Sequence, residues 1–173
     1  ILILSVYPLI REPFYEIDSK VKVESLFMDA IPTCVLKKAG WFTSLIVKLN
    51  KFVLTSNISI LLATSHNLSI VLPFTKVKLK YACEHVDFRS IPLFSRLFMR
   101  ITYPLLSGVI VLSKSAFNKT RFLNNNIRII PNSLSFTSER KPNFQNKKIL
   151  MVGRISPEKG YDRMIKIASK LKE

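Results

Sequence analysis

The sequence predicts an α/β chain built on a doubly wound parallel sheet, followed by the opening βα unit of a second, similar domain. Short, continuously apolar runs alternate with segments whose apolar residues recur at three- and four-residue spacings. That is how strands covered on both faces read when helices connect them. Residues 131–146 then change to Pro, Asn, Ser, Thr and Lys without a period, as an inter-domain linker does. The expected divisions are an N-terminal domain over residues 1–130, a linker over 131–146 and the start of a second domain over 147–173.

Taken in order, residues 1–6 alternate loosely and read as a strand, residues 7–20 with Pro8 and Pro13 as a connection, and residues 21–26 as a second strand. Phe42, Leu45, Ile46, Leu49, Phe52 and Val53 form one stripe, which predicts an amphipathic helix over 40–53 with Lys48 and Lys51 turned outward. Residues 58–63 read as a buried strand, 67–74 as a short helix or turn and 77–83 as a strand. A helix over 92–103, a strand over 109–112, a helix over 115–123 and a strand over 127–130 complete the domain. Asn124, Asn125 and Asn126 between the last two mark a turn.

The final pair reads as strand, basic loop and helix. Ile149 to Val152 are continuously apolar, Gly153 permits a sharp turn, and Pro157 keeps the chain out of helix until about Gly160. Beyond it Tyr161, Met164, Ile165, Ala168 and Leu171 share one helical face, and Asp162, Lys170 and Lys172 match the sign of the helix dipole. A lone βα unit cannot bury both faces of its strand, so the second domain is expected to be incomplete as given. The loop between strand and helix carries Arg154 and Lys159. Free backbone N–H groups and a positive dipole end suit a phosphate there, and the two cations would extend the site to a diphosphate. The plainer reading is a solvated basic loop. A Walker P-loop is excluded, because Gly160 follows the lysine where Ser or Thr would bind magnesium.

Val152 through Asp162, Val-Gly-Arg-Ile-Ser-Pro-Glu-Lys-Gly-Tyr-Asp, closely resembles the start of the donor-binding domain in family 4 retaining glycosyltransferases of the GT-B fold. Ile129-Ile130-Pro131-Asn132-Ser133 is similar to that family's inter-domain segment, and Val109-Ile110-Val111-Leu112-Ser113 to the strand before it. The likeness covers most of the chain from about residue 58 onward. It implies a GT-B enzyme of two Rossmann-like domains that moves a sugar from a nucleotide-diphosphate donor, with retention, to a saccharide or lipid-linked acceptor in cell-surface polysaccharide synthesis. The resemblance gives Gly153, Arg154 and Lys159 the donor diphosphate, and no metal or cofactor is expected. Ala82-Cys83-Glu84-His85-Val86-Asp87-Phe88-Arg89 is similar to the family's first-domain histidine motif. His85 becomes the candidate catalytic residue, with Glu84 in support. Without the family, His85 reads as an ordinary surface or core histidine. Two family features have no counterpart in the sequence: a glycine-rich loop after the first strand, and the paired glutamates that hold donor ribose and sugar. The chain is therefore expected to be inactive by itself.

Composition leaves wider options. The net charge of +16, from 27 Lys and Arg against 11 Asp and Glu, favours anions of any kind. Nucleic acid is disfavoured as a partner because the charges are dispersed and no recognition motif is present. A basic module binding nucleic acid or other anions, a truncated non-catalytic transferase remnant and a sugar-nucleotide epimerase of the same fold stand as alternatives. Cys34 and Cys83 have no pairing or metal spacing, so both are expected to be reduced core residues of a cytoplasmic protein. Two histidines without ligand spacing make a zinc site improbable, and His66, with no partner in the sequence, reads as part of a cap or turn. Charges interrupt every apolar stretch long enough to span a membrane. Arg96 and Arg100, four residues apart among Leu93, Phe94, Leu97, Phe98 and Ile101, read as a polar strip on a core-facing helix. Alternatively they form a basic, aromatic surface resting on the anionic inner face of the cell membrane, which would make the protein peripheral there.

Overall fold

The computed structural model describes residues 1–8, 16–133, 145 and 149–171, and the chain divides into two units, Ile1–Ser133 and Leu134–Glu173.

In the first unit, strands β1 (Leu2–Ser5) and β2 (Lys22–Ser25) pair in parallel, from Leu2 opposite Lys22 to Ser5 opposite Ser25. Helix α1 (Val35–Thr55) leads to a second sheet. There β3 (Ile60–Ala63), β4 (Leu79–Glu84), β5 (Gly108–Val111) and β6 (Ile127–Ile129) lie side by side in chain order, every neighbouring pair parallel. Helices α2 (His66–Ser69), α3 (Leu93–Thr102) and α4 (Lys114–Thr120) connect them. This is a mixed α/β arrangement of parallel sheets, compatible with a Rossmann-like fold.

Helix α1 starts five residues before the predicted position at Gly40. A glycine inside a helix costs about 1 kcal/mol, which the stripe of Trp41, Leu45, Leu49 and Val53 outweighs: all four are buried, with Leu26, Met28, Val71 and Val77 around them. The Trp41 indole donates to Asp29 O at 2.8 Å, so its one polar group is satisfied. A second core lies on the four-stranded sheet, where Ala82, Val109 and Val111 pack with Leu72, Met99, Tyr103 and Leu123. Gly108 opens β5 because Asn126 lies so close. A Cβ at Gly108 would come within 2.9 Å of both Asn126 O and Asn126 Nδ2. The predicted turn at Asn124 is also a pin: its Nδ2 donates to Tyr103 O at 2.7 Å and Leu106 O at 3.0 Å.

Three expectations are corrected. β3 is an edge strand, with Ile60 56% and Leu62 46% exposed, because β1 does not pair with it. Cys34 is exposed beside the first turn of α1, and Cys83 is half-buried; both are free thiols. Ile149 to Val152 form no strand. Ile149, Leu150 and Val152 are 68%, 87% and 84% exposed, since a strand needs a neighbour to satisfy its backbone and the second unit offers none among the described residues. Helix α5 (Tyr161–Lys170) forms where expected. Among the described residues no helix is long and apolar enough to cross a membrane.

Candidate functional site

His85 follows the last residue of β4 and is exposed at the carboxyl end of the four-stranded sheet, where open parallel sheets collect ligands. Its Nε2 lies 3.5 Å from Cys83 Sγ, two residues back on the same side of the strand. Burial, and then the Glu84 charge, push the Cys83 thiol up, so it meets the imidazole as a neutral group. Glu84 is turned the other way. It is 6% exposed and accepts hydrogen bonds from the Tyr103 hydroxyl and from Ser69 Oγ, the latter at 3.2 Å. The support Glu84 was expected to give His85 is replaced by a place in the core, because adjacent residues of a strand face opposite sides.

Asp87 accepts from Arg89 N at 2.8 Å and so caps the turn Phe88–Ser90. It also pairs with Lys119 of α4. The Lys119 ammonium, followed by the Arg89 amide, holds the Asp87 carboxyl below the usual carboxylate range. The exposed imidazole therefore has a fixed loop beyond it, and one of its ring nitrogens already meets Cys83 Sγ.

On α3, Arg96 is half-buried with its guanidinium 5.8 Å from the Phe88 ring centre, and Arg100 is exposed, 5.2 Å from that of Phe122. The helix does not face the core with its apolar side. Met99 and Thr102 are buried, whereas Leu93, Phe94, Leu97 and Ile101 are 74%, 75%, 54% and 62% exposed. The outer face is apolar, and of the two arginines only Arg100 lies at its rim.

In the second unit the basic loop is folded on itself. The Tyr161 hydroxyl donates to Gly153 O at 2.7 Å. Lys159 lays its side chain across Gly153, whose Cβ, if present, would lie 3.6 Å from Lys159 Cγ and Cδ. Pro157–Lys159 form a single 3-10 turn, and Gly160 reaches α5 through φ 71°, a left-handed conformation that favours glycine. Arg163 folds back over that glycine, its Nε 3.1 Å from where a Cβ would stand. The sequence reading missed this third cation, although it stands one helical turn after Lys159. Arg154 is 85% exposed and meets Glu158 at 3.9 Å, a loose surface pair that an incoming anion can displace. The Glu158 carboxyl is held low first by its own backbone amide. Gly153, Arg154, Lys159 and Arg163 thus lie together in one unit, and His85 belongs to the other.

No group of three or more His, Cys, Asp or Glu is placed to hold a metal ion among the described residues. Comparison with protein-family models and with curated proteins gives no match.

Proposed function

We propose that the chain is part of a GT-B retaining glycosyltransferase, carrying the acceptor-side Rossmann-like domain and the first donor-binding elements. The observation that carries the reading is the loop from Gly153 to Arg163, where Lys159 lies against Gly153 and Arg163 against Gly160 at the start of a helix, with Arg154 exposed in the same loop. Arg154 and Lys159 would neutralise the diphosphate of a nucleotide sugar as the glycosidic bond breaks, a role in which fixed cations replace a metal. Arg163 would add a third positive group beside the helix N-terminus. His85, exposed at the carboxyl end of β4, would offer a hydrogen bond to a ligand at that rim of its own unit. Glu84 has no place in this chemistry.

The acceptor is a saccharide or a lipid-linked saccharide at an anionic membrane surface, and the exposed apolar face of α3 supports the lipid-linked form. Large apolar side chains standing together beside cations favour an interface between water and lipid over bulk water. Equilibrium dialysis tests the reading: a nucleoside diphosphate should bind several-fold more tightly than the monophosphate, and Arg154→Ala with Lys159→Ala should abolish the preference. Equal binding of both nucleotides, with oligonucleotides binding more tightly and with a steep salt dependence, would favour the anion-binding module instead.

A further inference from the structure

Two strand edges in the unit Ile1–Ser133 flank a gap. β1 pairs with β2 and β3 with β4, and among the described residues the two sheets stay separate. One edge of each strand therefore offers unpaired N–H and C=O groups. Between them lies a cavity of about 790 Å³, walled by residues 1–4 and 57–64 in unbroken runs. Side chains of a strand alternate between faces, so a cavity that touches consecutive residues runs along the backbone edges. Leu45, Leu49, Phe52 and Val53 of α1 line it as well. Leu4, Ile58 and Leu61 pack against the core cluster to which this helix contributes Trp41, Leu45, Leu49 and Val53, so both strands rest on one core.

The gap has the size of a strand. One residue in a packed sheet occupies roughly 160 Å³, from a rise of about 3.3 Å, a strand spacing of about 4.8 Å and a layer of about 10 Å. The cavity of about 790 Å³ then holds about five residues, comparable with the four of β1 and of β3. Its surroundings are almost wholly apolar, as the centre of a sheet covered on both faces requires. Filling it would join the two sheets in the order β2, β1, new strand, β3, β4, β5, β6. If the new strand comes before β1 in the chain, this is the doubly wound order in which the first strand is central and the winding reverses beside it.

We propose that the slot between β1 and β3 is the seat of a parallel, apolar β-strand of about five residues, supplied by polypeptide N-terminal to Ile1 in a longer form of this chain. The strand would pair with both exposed edges and cover Ile60 and Leu62. It would also bring the carboxyl ends of all the strands into one rim with His85.

The test fuses five alternating Val and Ile residues to Ile1 through a flexible Gly/Ser linker of about 20 residues, longer than the dozen that a parallel crossover needs. Backbone amides of β1 and β3 that do not bond to β2 or β4 are followed by hydrogen exchange. They should exchange fast in the 173-residue protein and at least tenfold more slowly in the fusion, while a control fusion with Ser and Asp in the strand positions leaves them fast. A Leu62→Trp reporter should move its emission to the blue only in the apolar fusion. Fast exchange in both fusions, slow exchange without any fusion, an unmoved emission from the Leu62→Trp reporter, or protection that rises with protein concentration as a dimer forms would each overturn the proposal.

Discussion

The Tyr103 hydroxyl donates to Glu84 Oε1 inside the core, with Tyr103 0% and Glu84 6% exposed. The contact joins the end of α3 to the last residue of β4, so the strand that presents His85 is tied to the helix with the exposed apolar face. Burial, followed by the Glu84 charge, pushes the phenol of Tyr103 well above its usual range.

Tyr103→Phe leaves the buried carboxylate one donor short. It is expected to lower the free energy of unfolding by about 1–3 kcal/mol, read as a lower urea midpoint at unchanged m. The pH dependence has a definite sign. The unfolded phenol ionises near pH 10 while the folded one stays protonated, so stability falls as pH rises above about 10. Tyr103→Phe should flatten that decline, and an identical decline in the variant would remove the assignment.

Asp87 is held low chiefly by Lys119. In Lys119→Ala its carboxyl should titrate at higher pH, as followed by NMR. The stabilisation from the lowered carboxyl is present above the unfolded value near 4 and is lost as pH falls through the folded one. Unchanged titration in Lys119→Ala would mean that the ion pair does not form in solution.

The outer face of α3 should bind anionic vesicles. Phe94→Asp with Leu97→Asp is expected to reduce cosedimentation with phosphatidylserine vesicles at least tenfold, at unchanged thermal stability, since both side chains are exposed. Arg100→Glu should weaken binding further than Arg96→Glu, because Arg96 is half-buried above Phe88. Binding that ignores anionic lipid would remove the membrane from the account.

Gly108→Ala places a methyl group 2.9 Å from Asn126 O, a backbone atom that cannot rotate away. The expected loss is about 1–3 kcal/mol of stability, read as a lower thermal midpoint. A neutral substitution would show that β6 yields easily.

Elements that bury a periodic face were legible in the sequence. The stripe from Phe42 to Val53 located α1, and the alternation of strands and helices gave the order of elements through β6. What depends on distant partners was not legible. Ile149 to Val152 have strand composition without a neighbouring strand, and residues 58–63 read as buried although one edge of β3 is open. Glu84 beside His85 suggested a working pair, but strand alternation sends one side chain to the core and the other to solvent. The candidate phosphate loop was readable because Gly153, Arg154, Lys159 and Gly160 are close in sequence. Arg163 entered only when the left-handed turn at Gly160 brought its guanidinium back.

The most direct measurement of the central claim is an amide-resolved NMR titration of the chain with a nucleoside diphosphate, repeated for Lys159→Ala. The account predicts saturable shifts concentrated between Gly153 and Arg163, absent in the variant and weak with the monophosphate. Shifts spread over the basic surface, equal for both nucleotides and unchanged in Lys159→Ala, would contradict it.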